Sequence, residues 1–194
     1  MMGLGEFWTG LEPYLGNPNA RPFVCTDSPL ACKSFIVGLN AATCLNHPFS
    51  SYWSNETGFK RAKFDRHYTD IRHRKGNRPV IEAISCEIKP CLETNLYATP
   101  TRRAKHLAQG DRICPIIEYL FFAIKPRLVF VHSKEPIRFF QRVTGCDDFT
   151  SKVTQARWDG HEFLLFGRRG PLYTLGVKKG AACGHELAQH MRPI

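Results

Sequence analysis

The amino-acid sequence predicts an α/β protein, a three-layer α/β/α sandwich built around a short, mainly parallel central sheet. Segments with the character of strands alternate along the chain with segments of helical periodicity, which is how parallel sheets are connected. The strongest strand candidates are continuous apolar runs, and such runs are typical of parallel strands buried on both faces. At 194 residues with 43% apolar content, the chain is expected to form one domain over residues 1–194.

The expected elements follow in chain order. An N-terminal helix is expected because one helical face collects Leu4, Phe7, Trp8, Leu11 and Leu15. Strands are expected at SFIVGL, ETNLYA and RLVFVHS, and EFLLF with PLYTLG should supply one or two more. Helices are expected between them at RPVIEAISCEI, CPIIEYLFFAIKP and EPIRFFQRV. Prolines near the helix starts and a possible cap at Ser133 support these positions.

Two polar, basic segments interrupt this alternation, residues 60–78 and residues 99–112. Neither shows a clear apolar period, so both are expected to be exposed loops. The arginines of the first segment are expected to form a solvated surface that touches DNA without sequence preference.

The charge balance points to a polyanionic partner. Lysine and arginine outnumber aspartate and glutamate by 27 to 17, a formal net charge of +10. Such an excess attracts nucleic acids, because bound phosphates release their counterions. A basic surface also serves solubility alone in many proteins. Nucleic acid is therefore the leading partner class, with a solubility role as the alternative.

The spacing of the cysteines and the length of the apolar runs bear on whether the chain holds a metal site and whether it enters a membrane. The eight cysteines form no C-x-x-C pair, so buried reduced thiols are expected rather than a metal or iron–sulfur site. No metal and no cofactor are expected. No apolar run approaches the roughly 20 residues that span a bilayer, and MMGLGEFWTG does not have the pattern of a signal peptide. We expect a cytoplasmic monomer that does not bind membranes.

A pocket is expected at one edge of the sheet, because ligands of open parallel sheets bind outside the carboxyl ends of the strands. That rule selects Asn40, Asn95 and His132 at the ends of three strands, and a loop at Gly176 after the last. The aromatic residues in segment 49–53 are expected to cover the pocket. Its polar groups should be mostly neutral, which favours an amide-bearing ring over a cluster of metal ions.

Several of these segments resemble a known family. They are Gly38-Leu39-Asn40, His47-Pro48-Phe49, Tyr52-Trp53 and Thr94-Asn95-Leu96. Together they resemble the motifs of the uracil-DNA glycosylase superfamily. Its members share a compact α/β/α sandwich with a short parallel sheet, hydrolyse the N-glycosidic bond of a damaged base, and need no cofactor. The resemblance implies this fold, this activity and damaged DNA as the partner.

The resemblance also implies roles for single residues. Asn40 would position the attacking water. Because an amide takes a proton poorly, departure of the base as an anion would supply most of the driving force for hydrolysis. Phe49 would stack on the flipped base, with Tyr52 as second choice. Asn95 would read the Watson–Crick edge, because one carboxamide offers an acceptor for N3–H and a donor for O4 of uracil.

The remaining roles concern the DNA backbone and the leaving base. Phosphate contacts are expected from Arg102, Arg103 and Lys105. The family's final motif, His-Pro-Ser or Asn-Pro-Ser after the last strand, has no recognisable counterpart, and LGVKKGAACGHELAQ stands in its place. The candidates for its roles are Val177 as a wedge in the duplex, Lys178 and Lys179 as phosphate or leaving-base contacts, and His132 and His185 as electrophiles.

Each residue also has a structural alternative. Asn40 suits a turn after a strand, and Asn95 could hold a neighbouring loop by a buried hydrogen bond. Phe49 and Tyr52 could be core aromatics, and His132 could be a satisfied structural histidine. Three functions follow: a monofunctional glycosylase, a nucleic-acid-binding module of the same fold without competent catalysis, and a nucleotide-processing hydrolase. Strand cleavage is not expected, because no lysine is clearly placed as a Schiff-base nucleophile.

Overall fold

The computed structural model of this chain describes residues 2–26, 28–71 and 76–191. The helices in these ranges are α1 (Leu4–Leu11), α2 (Arg61–Ile71), α3 (Arg78–Glu87), α4 (Pro115–Ile124), α5 (Lys134–Thr144) and α6 (Val177–His190). The strands are β1 (Phe23–Cys25), β2 (Ser34–Asn40), β3 (Trp53–Ser54), β4 (Gly58–Phe59), β5 (Cys91–Tyr97), β6 (Leu128–His132), β7 (Thr154–Trp158) and β8 (His161–Arg168).

Six strands form the central sheet in the order β1-β5-β2-β6-β8-β7, and β3 pairs with β4 in a separate ribbon. The four inner strands are parallel to one another, while the outer strands β1 and β7 run antiparallel to their neighbours. The inner strands β2, β6 and β8 contain the apolar runs of the sequence, and the parallel pairing of the inner strands requires crossover connections between them. The mainly parallel sheet predicted from the sequence is confirmed.

Helices cover both faces of this sheet. On one face, α3 and α6 pack over a core that includes Ile36, Ile84 and Phe130. On the other face, α1, α4 and α5 pack over a larger core that is rich in aromatic rings. The approach of α6 to α3 is close, since a Cβ added at Gly184 would lie 2.9 Å from the Ile84 carbonyl oxygen. The architecture is therefore the three-layer α/β/α sandwich that the sequence predicts.

The structure corrects one of the two predicted loops. Segment 60–78 contains helix α2 and the first residue of α3, while residues 72–75 lie outside the described part of the chain. Phe64 and Tyr68 lie one turn apart on α2, Phe64 is buried, and Arg61 pairs with Asp65 at i,i+4. The helical period was hidden because basic residues surround the few apolar positions. Segment 99–112 is a loop with two short 3₁₀ turns.

Other corrections concern the ends of the sheet. PLYTLG is not a strand, because Leu172–Thr174 form a 3₁₀ turn and α6 begins at Val177. Strands β1 and β7 were not expected, because β1 has only three residues and β7 contains the polar residues Thr154, Gln155 and Arg157. Among the described residues, no helix is both long and apolar enough to cross a membrane.

The eight cysteines are all free thiols, as expected, but their burial varies. Cys25, Cys32 and Cys91 are buried, whereas Cys44 and Cys86 are exposed. Burial therefore explains only part of the cysteine content.

Candidate functional site

A pocket of about 280 Å³ lies at the carboxyl ends of β2, β5 and β6. Its lining includes Asn40, Asn95 and His132, the three polar residues that the sequence places at strand ends. They project from the same face of the sheet, because Gly38 pairs with Asn95 and Asn40 with Tyr97 in the parallel register. The structure thus brings these three predicted site residues together.

Asn95 and His132 converge above Gly38. A Cβ added at Gly38 would lie 2.8 Å from Asn95 Oδ1 and 2.9 Å from His132 Nε2. Real Cβ atoms are essentially never this close to another heavy atom, so only glycine leaves both side chains in place. The absence of a side chain at position 38 therefore allows an amide oxygen and an imidazole nitrogen to face the same point.

The imidazole of His132 is neutral over the physiological pH range. Burial lowers its pKa from 6.5 to about 4, because the charged form loses hydration. Its Nδ1 lies 3.3 Å from the hydroxyl oxygen of Ser133. A neutral imidazole has one donor and one acceptor nitrogen, so His132 can interact with Ser133 on one side and with a ligand on the other.

Ser133 holds a strained backbone conformation at the rim of the pocket. Its φ of 83° and ψ of 155° lie in a region that residues other than glycine rarely occupy. The N–H of Ser133 donates to the carbonyl oxygen of Arg168 on β8, and α5 begins at the next residue. Strain of this kind, about 1 to 3 kcal/mol, is concentrated at functional sites.

Asn40 is oriented by the loop that follows β5. Its Nδ2 donates to the carbonyl oxygen of Thr101 at 3.0 Å and to the Thr101 hydroxyl at 2.8 Å. The backbone N–H of Thr101 donates to the carbonyl oxygen of Ala41 at 2.9 Å, which joins the two loops. With its nitrogen engaged in this way, Asn40 offers its side-chain oxygen as the acceptor for a ligand or a water molecule.

The pocket also has a charged wall, which corrects the expectation of mostly neutral polar groups. Arg78 donates two bonds to the carboxylate of Glu93, at 2.5 and 2.6 Å, and a third to Glu82 at 3.0 Å. Both side chains of the Arg78–Glu93 pair are nearly buried, at 12% and 11% exposure. Burial lowers the pKa of Arg78, but the carboxylates of Glu93 and Glu82 raise it by more, so the net shift of the pKa is upward. Arg21 also lines the pocket, 5.7 Å from the Tyr68 ring centroid.

Phe49 and Tyr52 do not lie at the pocket. Phe49 is 3% exposed and packs on Phe23, with ring centroids 5.1 Å apart. Tyr52 is fully buried, and its hydroxyl lies 3.0 Å from Nδ1 of His67. The aromatic lining comes instead from Phe23, Phe64 and Tyr68. Base stacking by Phe49 or Tyr52 is therefore without support from their positions.

The residues expected to contact DNA lie on the surface. Arg102, Arg103 and Lys105 are exposed on the loop after β5, and the Thr101 hydroxyl that accepts a bond from Asn40 donates to the carbonyl oxygen of Arg103.

The residues that replace the family's final motif lie elsewhere. Val177 is 51% exposed at the start of α6, beside the exposed Lys178 and Lys179. His185 lies further along α6, 3.6 Å from a carboxylate oxygen of Glu87, and outside the pocket lining. Of the two histidine candidates, only His132 is in the pocket.

Sequence reasoning missed the charged wall, although one signal was present. Glu93 and Asn95 are two residues apart on a strand, so they share a face. Arg78 has Glu82 at i+4, a spacing that favours an ion pair on a helix. The contact between Arg78 and Glu93 itself depends on how α3 packs against β5, which the local pattern does not specify.

No protein-family model matches the chain, and no curated protein matches it either. Within the described ranges, no three histidine, cysteine, aspartate or glutamate side chains are grouped so that they could hold a metal ion.

Proposed function

We propose that this protein is a monofunctional DNA glycosylase that hydrolyses the N-glycosidic bond of a flipped deaminated base, with uracil as the first substrate, and leaves an abasic site. The observation that carries the proposal is the convergence of Asn95 Oδ1 and His132 Nε2 above Gly38, beside Asn40. An amide and a neutral imidazole that face one point suit a flat ring with donors and acceptors on its edge. The resemblance to uracil-DNA glycosylases includes two of these strand ends, Gly38-Leu39-Asn40 and Thr94-Asn95-Leu96.

Recognition of the base follows from the chemistry of Asn95. Its oxygen accepts from N3–H of uracil and its nitrogen donates to O4, whereas cytosine presents the reverse pattern. Phe23, Phe64 and Tyr68 supply the aromatic part of the pocket lining. Burial of a ring in this pocket offsets part of the energy needed to extrude it from the duplex.

The reaction requires a positioned water and a stabilised leaving group. The side-chain oxygen of Asn40 accepts a bond from water and orients it toward C1′, because Thr101 holds the amide nitrogen. The water oxygen forms a bond to C1′ as the bond from C1′ to the base breaks, the electron pair leaves with the base, and the departed base takes up the proton that the water loses. In the tautomer protonated on Nε2, His132 accepts from the Ser133 hydroxyl and donates to the developing anion of the base.

DNA binding is assigned to the basic surface beside the pocket. Arg102, Arg103 and Lys105 are exposed, and their loop is hydrogen-bonded to Asn40 through Thr101. Phosphates bound on this loop would place the strand against the residue that orients the water. The net charge of +10 adds a general attraction to DNA.

The function is tested by incubating the protein with oligonucleotides that differ only in one uracil or thymine, followed by alkali and gel analysis. We expect cleavage of the uracil strand alone, and only after alkali, because a monofunctional enzyme leaves an intact abasic site. Cleavage before alkali would instead indicate a Schiff-base mechanism and direct attention to Lys178 and Lys179. Intact uracil strands would contradict the proposal.

The role of Asn40 is tested with Asn40→Ala. We expect excision to fall about 10² to 10³-fold with DNA affinity nearly unchanged, because the lost group acts in the transition state. Single-turnover rates and fluorescence anisotropy measure the two quantities. The matched control is Asn46→Ala, an exposed asparagine six residues along the same segment, which should leave both unchanged. An Asn40→Ala enzyme with wild-type rates would remove Asn40 from the mechanism.

A second candidate function is a nucleic-acid-binding module without catalysis. It is favoured by the segment after β8, which forms a 3₁₀ turn and the start of α6, with Val177, Lys178 and Lys179 outside the pocket lining. A gel-shift assay run beside the excision assay separates the two functions. Retained binding without any abasic product would favour the binding module.

A further inference from the structure

Two segments of this basic chain contain no lysine and no arginine. They are residues 1–20 and residues 113–124, whose charged side chains are Glu6, Glu12 and Glu118. The chain as a whole carries 27 lysine and arginine residues and a formal net charge of +10. Positive charge is therefore distributed unevenly, and the charged side chains of these two segments are all negative.

The structure places these two segments against each other. The Tyr119 hydroxyl on α4 donates to the carbonyl oxygen of Phe7 on α1 at 2.7 Å, and the ring centroids of Tyr14 and Tyr119 are 5.9 Å apart. Among the described residues, six large apolar side chains are exposed, and three of them, Met2, Tyr14 and Ile113, lie in these segments. The two segments therefore form an acidic surface with exposed apolar groups.

Two adjoining cavities form a groove on this surface, which we call the α4 groove. The larger cavity, of about 470 Å³, is lined from α4 by Pro115, Glu118, Tyr119 and Phe122, and also by Tyr14. These helix residues are spaced three or four apart, so they share the face of α4 opposite to its buried face. The smaller cavity, of about 230 Å³, shares Tyr14 and Pro115 with the larger and extends to Asp111 and Ile113. The groove is therefore large enough for several side chains of a ligand.

The lining of the α4 groove combines negative charge with aromatic rings. Glu118 and Asp111 contribute carboxylates, and Tyr14, Tyr119 and Phe122 contribute rings. Among the described residues, no lysine or arginine lines either cavity. A cation near such rings is attracted to their faces, and a carboxylate close by adds to that attraction. The groove therefore suits a ligand that is both cationic and apolar.

This chemistry distinguishes between classes of macromolecule. The carboxylates would repel the phosphates of a nucleic acid and the anionic headgroups of a membrane. A second copy of this chain carries the same net charge of +10, which opposes association of two copies. A segment of another polypeptide meets both requirements, because lysine or arginine can stand beside apolar residues in it.

We propose that the α4 groove is a docking site for a polypeptide segment of a partner protein, one that presents apolar side chains next to lysine or arginine. The cation lies beside Glu118 and the aromatic rings, and the apolar side chains pack along Pro115 and Ile113. The groove shares no described lining residue with the pocket at the carboxyl ends of β2, β5 and β6. The docking site is therefore independent of the proposed glycosylase function.

The test is selection of peptides from a random library displayed on phage, with the immobilised full-length protein as the target. We expect the enriched peptides to combine apolar residues with lysine or arginine. The same selection on the double variant Tyr14→Ser with Glu118→Lys should not enrich them. Enriched peptides without cations, or equal enrichment on the double variant, would overturn the inference, and so would the absence of any enriched peptide.

The role of charge is measured by fluorescence anisotropy with the most enriched peptide. We expect Glu118→Lys to weaken its binding by about tenfold or more, because an attraction is replaced by a repulsion. The matched control is Glu186→Lys, which reverses the charge of an exposed glutamate on α6, on the other side of the sheet. Equal weakening in the two variants would mean that only total charge matters, and would overturn the docking site.

The role of the aromatic surface is measured with Tyr14→Ser in the same assay. Tyr14 is 44% exposed, and the matched control Tyr173→Ser removes a tyrosine that is 60% exposed in the turn before α6. We expect binding to weaken by about tenfold or more in Tyr14→Ser and to stay at the wild-type value in Tyr173→Ser. Circular dichroism confirms that the variants are folded. Unchanged binding in folded Tyr14→Ser would overturn the inference.

Sedimentation equilibrium distinguishes a partner protein from self-association. We expect the wild-type protein to be a monomer at the concentrations used for anisotropy. A dimer that dissociates in the Tyr14→Ser variant would identify a second copy of this chain as the occupant of the groove, and would overturn the proposal.

Discussion

The two halves of the pocket hold their polar groups in different ways. Around Gly38, the side chains of Asn40, Asn95 and His132 are neutral, and each is oriented by a hydrogen bond or by close packing. On the wall formed by α3 and β5, Arg78 and Glu93 are charged and bond to each other. The neutral half can change its hydrogen-bond partners during a reaction, whereas the charged half is already paired before a ligand arrives.

This difference separates chemistry from stability. Removing a neutral group beside Gly38 leaves no charge behind, so its main effect should be on the reaction. Removing one member of the charged pair leaves the other buried without compensation, so its main effect should be on folding. Substitutions in the two halves should therefore be distinguishable by whether they change rates or the free energy of unfolding.

Arg78→Ala should have the largest effect on stability. Glu93, at 11% side-chain exposure, would be left with its charge unpaired, and we expect the free energy of unfolding to fall by about 3 to 5 kcal/mol. Urea denaturation measures this change. Arg157→Ala, which breaks a pair on the surface, is the control and should change stability little. Equal effects of the two substitutions would show that the Arg78–Glu93 pair is not effectively buried.

His132 should make stability depend on pH. Its pKa is about 4 in the folded chain against 6.5 for an ordinary histidine, so the unfolded chain binds the proton more readily between these values. Stability contributed by the neutral imidazole is therefore present above pH 6.5 and is lost as pH falls toward 4, by about 3 kcal/mol in total. Urea denaturation between pH 4 and pH 7 should show this loss, and His132→Asn should lack that component. Parallel pH curves for the two proteins would contradict the burial of His132.

The neutral part of the pocket could be predicted from the sequence, whereas the charged part could not. The inner strands β2, β6 and β8 were predictable because each contains a continuous apolar run, β5 was predictable from ETNLYA, and the strand-end rule then selected Asn40, Asn95 and His132. The pocket-lining residues of α2, Phe64 and Tyr68, were not predictable, because the charged residues around Phe64 obscure the helical period of that segment. The bond between Arg78 and Glu93 was not predictable either, since it joins a helix and a strand through tertiary packing.

Asn95→Asp tests base recognition in the neutral half. An ionised carboxylate cannot donate to O4 of uracil, so we expect the preference for uracil over cytosine to fall ten- to hundredfold, which corresponds to about 1 to 3 kcal/mol. Excision of the two bases from matched oligonucleotides measures the ratio. An unchanged ratio would mean that Asn95 has only the structural role of holding a neighbouring loop.

The smallest effect is expected at the surface, from Arg102→Ala combined with Arg103→Ala. Both side chains are exposed beside the pocket, so DNA affinity should fall to the same extent for every sequence. The slope of log affinity against log salt should become shallower by up to about 2, because two phosphate contacts are lost. Anisotropy titrations at several salt concentrations measure this slope.

The control for that slope is Lys33→Ala with Arg157→Ala, which removes the same net charge at the end of the sheet where β2 begins, away from the pocket. Arg157 lies next to the turn between β7 and β8, at the opposite end of the sheet from the carboxyl edge. If contact with phosphates matters, the slope should change only in the Arg102 and Arg103 variant. If total charge alone attracts DNA, both double variants should change it equally, and the loop after β5 would then lose its assignment as the DNA-binding surface.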